Sequence, residues 1–369
     1  MVEMEKQVLT PVNENKSQKA TNFKWRNIFR GDNRALWTIL ALIIILLADR
    51  MVSPTFFTVR MINGRLTGSL INTLDGAAPI ILLSIGMTLV IATKGVDLSV
   101  GAVMAICAAV SAVLINRHEA GSDNILYYPG FVIAIAILVG ALCGLWNGIL
   151  VALFDIQPII ATLILMVAGR GIAQMITDGQ SPTYTDETLA FMGQGTIFGM
   201  PFPVYVAIIA LVVVYLLVRR TALGLLIESV GINAKASHYT GVNATVIKLF
   251  VYIISGICAA IAGLIVAGEN TYADPHTAGM WSELDAIVAV VIGGTLLSGG
   301  RFSLVLSAMG ALIIQSLRIG LYISDLHPNA NLVVKAIVIL LVLLLQSKEF
   351  KQAVGRLFKP VLKLRPVFK

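Results

Sequence analysis

The sequence predicts an all-α polytopic membrane protein of about ten transmembrane helices, with both the N and C termini cytosolic. Three observations carry that expectation. Of the 369 residues, 57% are hydrophobic and only 13% charged, against roughly 25% charged in a soluble domain; mean hydropathy is +0.87. A water-soluble chain of this length could not hide so much apolar surface, whereas a bilayer can. The apolar residues also fall into runs near the ~20 residues a helix needs to cross the hydrocarbon. Finally, basic residues flank the whole set. Lys6, Lys16, Lys19, Lys24, Arg26, Arg30 and Arg34 precede the first run, and Lys348, Lys351, Arg356, Lys359, Lys363, Arg365 and Lys369 follow the last. Clustered Lys and Arg mark the cytosolic side. Such end clusters also argue against reading the net charge of +7 as a nucleic-acid surface.

Taken in order, residues 1–34 form a basic polar cytosolic tail, and 1–22 are too polar to build a core. The first apolar run follows this tail as in a signal peptide. It ends Ala48-Asp49-Arg50, without a small-residue cleavage site, so a retained first span is expected. Spans are placed at 35–52, 71–93, 98–115, 130–153, 158–177, 202–218, 246–267, 284–298, 303–321 and 331–346, making 35–346 the transmembrane domain. Residues 347–369 form a basic cytosolic C-terminal tail. Termini on one side require an even count; short and nearly fused runs leave eight or twelve as alternatives to ten. Ten spans put 219–248, with Arg219, Arg220, Lys235 and Lys248, inside. They put 268–285, with Glu269, Asp274, Glu283 and Asp285 and no Lys or Arg, outside. Loop 49–70, with Arg50, Arg60 and Arg65, runs against the bias and is outweighed by the C-terminal cluster.

In the seventh span, Ala259, Gly263 and Ala267 recur every four residues, as do Gly256 and Ala260. Such stripes let helix backbones approach closely in lipid. Cys107, Cys143 and Cys258 lie in apolar runs and read as small packing residues. His118, His238, His276 and His327 stand too far apart for metal-ligand spacing. No solenoid-type repeat is visible.

Ionisable residues at membrane depth need a reason to be there. Asp75, near the start of the second span, reads as an interfacial charge. Lys335, near the start of the tenth, can snorkel outward. Asp97, in the run Lys94-Gly95-Val96-Asp97-Leu98-Ser99-Val100-Gly101, is placed to N-cap the third span. It either caps only or also lines a pathway together with Ser99. Arg170, between Gly169 and Gly171 deep in the fifth span, must pair or face a wet cavity. Glu283 and Asp285, at the outer end of the eighth span, are its candidate partners. The alternative is a purely structural ion pair. The eighth run is short and broken by Gly293 and Gly294, as in segments that line substrate paths. Asn147 reads as polar glue between helices or as a pathway group. A path for a polar solute leaving water needs polar groups to match it, and paired charges supply them without a net charge. Asp97, Arg170, Glu283 and Asp285 are therefore expected to matter to transport beyond their effect on folding.

Residues 293–301, GGTLLSGGR, are glycine-rich, but no G-x-x-x-x-G-K-[ST] occurs, nor G-x-S-x-G or H-E-x-x-H. An intramembrane enzyme is disfavoured, and any ATP-driven motor must be another polypeptide. A motor needs a cytosolic surface to grip. Only 219–245 is long enough, because the inner turns near 94–97, 154–157 and 299–302 cannot hold a helix. Within it, 224–241 reads as short helix, turn and short helix, with Gly231 ending the first piece, Asn233 capping the second and Gly241 stopping it. An ordinary solvated loop is the alternative.

Several stretches, in family order over about 35–346, resemble the permeases of bacterial ribose-type sugar ABC importers. They are 86–91 with 95–101, Gly148-Ile149-Leu150-Val151, 156–163, 255–263, and Glu283-Leu284-Asp285-Ala286-Ile287 through Gly293-Gly294. Residues 161–171, with Lys335-Ala336, look most like the galactofuranose type. One departure is Lys94, where the family usually carries a second glycine. The resemblance implies a permease subunit that moves a monosaccharide of the galactofuranose, ribose or galactose class, with no cofactor on this chain. It implies an extracytoplasmic sugar-binding protein, cytosolic ABC ATPase modules carrying ATP and Mg, and a second permease. In the galactofuranose type, the second permease differs from the first and the ATPase is a tandem protein. It also implies that Glu228, Gly231, Asn233, Ala236 and Gly241 contact the ATPase. Branched-chain amino-acid permeases are distant relatives. The alternative from another class is a secondary transporter driven by an ion gradient.

Overall fold

In a computed structural model the chain is described over residues 33–324, apart from 63, 122 and 123, and at single helical positions between 333 and 344. Along it run α1 (Asn33–Val52), α2 (Ser69–Ala92), α3 (Val100–Glu119), α4 (Pro129–Ala152), α5 (Pro158–Ile176), α6 (Glu187–Gln194), α7 (Phe202–Arg220), α8 (Leu223–Tyr239), α9 (Ala244–Asn270), α10 (Ser282–Ile292) and α11 (Leu304–Ile323). All but α6, α8 and α10 are long and apolar enough to cross a membrane. The all-α, multi-spanning class expected from the sequence is thus the one observed, with eight candidate spans among the described residues. Two hairpins, β1 (Arg60–Ile62) with β2 (Arg65–Thr67) and β3 (Thr196–Ile197) with β4 (Met200–Pro201), sit between helices. They meet where the Leu66 N–H donates to the Gly199 carbonyl at 2.8 Å.

The eighth expected span is shorter than its apolar run. Helix α10 has 11 residues, or about 16 Å at 1.5 Å per residue, and cannot cross the hydrocarbon alone. The chain leaves the helix at Gly293, and Gly294, Gly299 and Gly300 all take positive φ. The tenth expected span, Lys335 and both tails lie essentially outside the described residues.

Local chemistry explains where the helices begin. Pro129 and Pro158 open α4 and α5, where proline's missing N–H costs nothing and its φ is already helical. The Asn243 side chain accepts from Val246 N at 3.2 Å, and Ser303 accepts from Leu306 N at 3.4 Å, capping α9 and α11.

Burial sorts the helices into an inner and an outer set. The most apolar windows of α2 and α3 are 78% and 72% buried, against 17% for α1 and 22% for α4. Helix α9 packs on α2, α3, α4 and α6. Lipid removes the hydrophobic force between helices, so close van der Waals contact must hold them together. Gly140, Gly144 and Gly148, four apart on α4, lie against Ala260, Gly256, Tyr252 and Leu249 of α9. On the next face of α9, a Cβ at Gly263 would come within 2.5 Å of the Met104 carbonyl of α3. The small-residue stripes of the seventh span are these two contact lines. Helix α1 is held by two polar pins: Thr38 Oγ1 donates to the Ile292 carbonyl, and Ser316 Oγ on α11 donates to Asp49 Oδ2. The three cysteines are free, Cys107 and Cys258 being buried and Cys143 partly so.

Candidate functional site

The turn between α2 and α3, residues 93–99, carries a buried polar knot. Asp97 is 1% exposed. Its Oδ1 accepts from Ser99 N at 3.0 Å, Ser99 Oγ at 2.7 Å and Asn147 Nδ2 at 3.4 Å. Its Oδ2 accepts from Ser255 Oγ at 2.8 Å, and Asn147 Nδ2 also donates to Ser99 Oγ at 2.7 Å. The knot ties the turn to α4 and α9. Ser99, not Asp97, occupies the N-cap position of α3; Asp97 stands two residues earlier and holds Ser99 in place. Gly86 permits the approach, since a Cβ there would come within 2.7 Å of Ser255 Cα. Nearby, the buried Tyr252 hydroxyl and Asn147 Oδ1 have no hydrogen-bond partner.

A second group lies around the start of α10. The half-buried Arg170 donates through Nη1 to the Ala278 carbonyl, and Glu283 and Asp274 act on it electrostatically. Glu283, one of the two expected partners, is therefore beside Arg170, joined by Asp274; Asp285 is half-buried on α10. Glu283 is 3% exposed, and its Oε2, without a hydrogen-bond partner, presses on Gly101 in the first turn of α3. Segment 271–281 therefore dips to the level of that turn, where Gly279 and Gly101 touch. Burial works against the charge of Asp274. Hydrogen bonds from Thr277 Oγ1 and the His276 and Thr277 N–H groups hold its carboxyl below the usual range.

The expected helix, turn and helix of 224–241 is α8. Asn233 breaks it with φ −157° and ψ 100°, and its Oδ1 accepts from Ala236 N at 3.0 Å to cap the second piece. Gly241 ends that piece at φ +85°. Ala236, His238 and Tyr239 are exposed, while Ser237 is buried and donates to the Asn233 carbonyl at 3.0 Å. Glu228 is half-buried. Gly231 was expected to end the first piece, but the break falls at Asn233; the missing side chain of Gly231 instead lets it lie on the Ala92 carbonyl at the end of α2, which also accepts from Gly300 N at 2.9 Å. Lys94 adopts a left-handed φ of +67°, the backbone region that favours glycine. Its Nζ donates to the Ile232 carbonyl at 3.0 Å. A cavity of about 490 Å³ opens here, lined among others by Lys94, Gly95, Asn233, Lys235, Lys248 and Tyr252.

The structure thus gathers Asp97, Ser99 and Asn147 into one cluster and Arg170 and Glu283 into another, with Gly231, Asn233 and Ala236 on a third, kinked element. Sequence reasoning missed Ser255, Tyr252, Asp274 and Ala278. Ser255 was findable as a hydroxyl one residue before the Gly256 stripe. Nothing local pointed to the others.

Comparison with known proteins defines the class. Residues 69–343 match the profile of branched-chain amino acid transport system permease components, and the chain belongs to that family. It is 51% identical to the galactofuranose transporter permease protein YtfT of Escherichia coli K12, covering 85% of this chain and 89% of that one. It is 38% identical to the fructose import permease FruF of Bifidobacterium longum, over 84% and 87% of the two chains. It is 36% identical to the ribose import permease RbsC of Haemophilus influenzae, over 83% and 91%. No solved structure matches the chain. The resemblance to ribose-type sugar ABC importer permeases is therefore confirmed. The chain is a multi-pass inner-membrane translocation subunit, not an ATPase. Permeases of this family work with an ATPase and a substrate-binding protein. The ion-gradient alternative finds no support among these relatives.

Proposed function

We propose that this chain is one permease half of an ATP-driven importer of a neutral monosaccharide of the galactofuranose, ribose or galactose class. It would pair with a second, different permease, draw on a tandem cytosolic ATPase that holds ATP and Mg, and receive sugar from an extracytoplasmic binding protein. Both termini and α8 lie in the cytosol, and segment 268–283 lies outside. The observation that carries the reading is α8. A kinked, capped and exposed second piece is joined by Lys94, Gly231 and Gly300 to the turn that holds the Asp97 knot. A push on the exposed piece reaches membrane depth through that joint. The named relatives, all sugar permeases, support the cargo class.

The test is reconstitution with the partner subunits. Ala236→Cys should crosslink to the ATPase, and Ala236→Trp should leave hydrolysis running while uptake of labelled galactofuranose, ribose or galactose falls at least tenfold. The buried Ser237 is the poorer probe. Reporter fusions at Thr277 should read outside and at Lys369 inside. No crosslink together with normal uptake by Ala236→Trp would sink the proposal.

A further inference from the structure

The cavity of about 490 Å³ beside α8 has the size of a small-molecule site; ligand pockets run from roughly 300 to 1,000 Å³. Three lysines from three elements line it: Lys94 in the turn after α2, Lys235 on the second piece of α8 and Lys248 in the second turn of α9. Among the described residues no aspartate or glutamate lines it, and no carboxylate forms an ion pair with any of the three lysines. The charge of the recess is therefore of one sign. Thr93, Gly95 and Tyr252 lie buried at its base, so it is a hollow and not a flat charged patch. Val151 and Val230 give it an apolar wall.

Lys94 is the most telling of the three. It holds a left-handed φ of +67°, a conformation that costs any residue with a side chain and that glycine takes freely. Such strain persists where function calls for it. One N–H of its ammonium goes to the Ile232 carbonyl, which leaves two of three donors for a ligand. Lysines gathered in one hollow repel each other, and a bound anion removes that repulsion. A lone carboxylate brings one negative charge against three positive. A phosphate monoester brings about −1.5 to −2 at pH 7 and three acceptor oxygens, and lysine binds phosphate as a point charge. The apolar wall leaves room for the organic part of the ester.

We infer that this cavity binds a phosphate monoester, with Lys94, Lys235 and Lys248 around the phosphate oxygens. The occupant is not the cargo. It bridges the turn after α2, the second piece of α8 and α9, and so restrains the movement of α8 that transport needs. In the orientation proposed above the site faces the cytosol, where it senses phosphorylated compounds and slows import. The restraint rests on the proposed role of α8, whereas the binding does not.

The experiment places the complete transporter, with its ATPase, in phosphatidylcholine nanodiscs, which expose both faces and make the binding test independent of orientation. Ribose 5-phosphate radiolabelled in its phosphate is the probe. Binding should saturate, and unlabelled ribose should not compete. Joint Lys235→Gln and Lys248→Gln should weaken binding at least tenfold, which also subtracts any phosphate held by the ATPase, while joint Lys235→Arg and Lys248→Arg should keep it within about threefold. Should the double glutamine variant not accumulate, Lys248→Gln alone should weaken binding about threefold. Exchanging about a fifth of the lipid for phosphatidic acid, with phosphatidylglycerol as the charge control, separates the two sources of a monoester. Binding unchanged assigns the site to a soluble ester, and displacement by phosphatidic acid alone assigns it to a lipid headgroup. In sealed vesicles, ester on the ATPase side should lower sugar uptake about threefold in the native chain and leave uptake by the glutamine variant as it is without ester. No saturable binding, or binding that the glutamine variants retain in full, overturns the site. Equal inhibition of both chains overturns the restraint. Uptake that persists while binding fails leaves the transport reading standing, and binding without any uptake overturns that reading alone.

Discussion

Replacing Asp97 tests whether the polar knot both holds the fold and serves transport. In Asp97→Ala, the Ser99 N–H and the Ser255 hydroxyl lose their acceptor. Each buried orphan costs about 1–3 kcal/mol. The Ser255 hydroxyl can turn back to a carbonyl of its own helix, as serines in helices do, which brings the total toward about 2–3 kcal/mol. That is roughly a 30- to 150-fold shift in the folded fraction. Asp97→Asn keeps an oxygen facing Ser99 and presents its amide to Ser255, which can accept in turn. Only the charge assistance is lost, and charge-assisted bonds are about twice as strong as neutral ones, so the loss should stay near 1 kcal/mol. Because the same knot anchors the turn that Lys94 joins to α8, uptake per folded molecule should still fall about three- to tenfold in Asp97→Asn. The assays are heat- or detergent-induced unfolding of the purified complex and sugar uptake normalised to folded protein. Asp97→Ala as stable as the native chain would refute the energetic reasoning. Asp97→Asn transporting at the native rate would refute the role in transport.

Lys94→Met removes the bond to the Ile232 carbonyl at an exposed site. Stability should change by about 1 kcal/mol or less, while sugar imported per ATP hydrolysed drops severalfold; an unchanged ratio would show that the lysine does not join the two elements. Gly144→Val drives a side chain into the Tyr252 backbone and should destabilise by about 1–3 kcal/mol. Gly130→Val on the same helix, where a side chain meets nothing within 4 Å, should have no such effect.

Much of this was legible because its signals are local. Pro129 and Pro158 mark helix starts, Asn233 and Gly241 bound a helical piece, and apolar runs give the spans, all within a few residues. Asp97 and Asn147 stood out singly as polar groups in apolar surroundings. Ser255, which donates to Asp97, did not, because the register between α2, α4 and α9 is set by glycines packing across long separations in the chain. The dip of 271–281 was hidden for a similar reason. Its polar, proline- and glycine-containing composition reads as a surface connection, yet Gly279 and Gly101 let it sink to the start of α3. The short α10 was half legible, since Gly293 and Gly294 showed that the run breaks but not where the helix ends.

The Asp97–Ser255 bond joins positions 158 residues apart in the chain. At about 5–20 residues per second of synthesis, Ser255 is made roughly 8–30 s after Asp97. Asn147 comes earlier but contributes only one longer bond. For that interval a carboxylate destined for the centre of the bundle has emerged from the ribosome without the helix that will enclose it. Insertion of α2 and α3 must therefore be provisional, with the nascent hairpin free to keep Asp97 near water or an insertase until α9 arrives. Truncated chains ending before residue 255 should accordingly be targets for membrane quality control, while chains ending soon after α9 should begin to escape it.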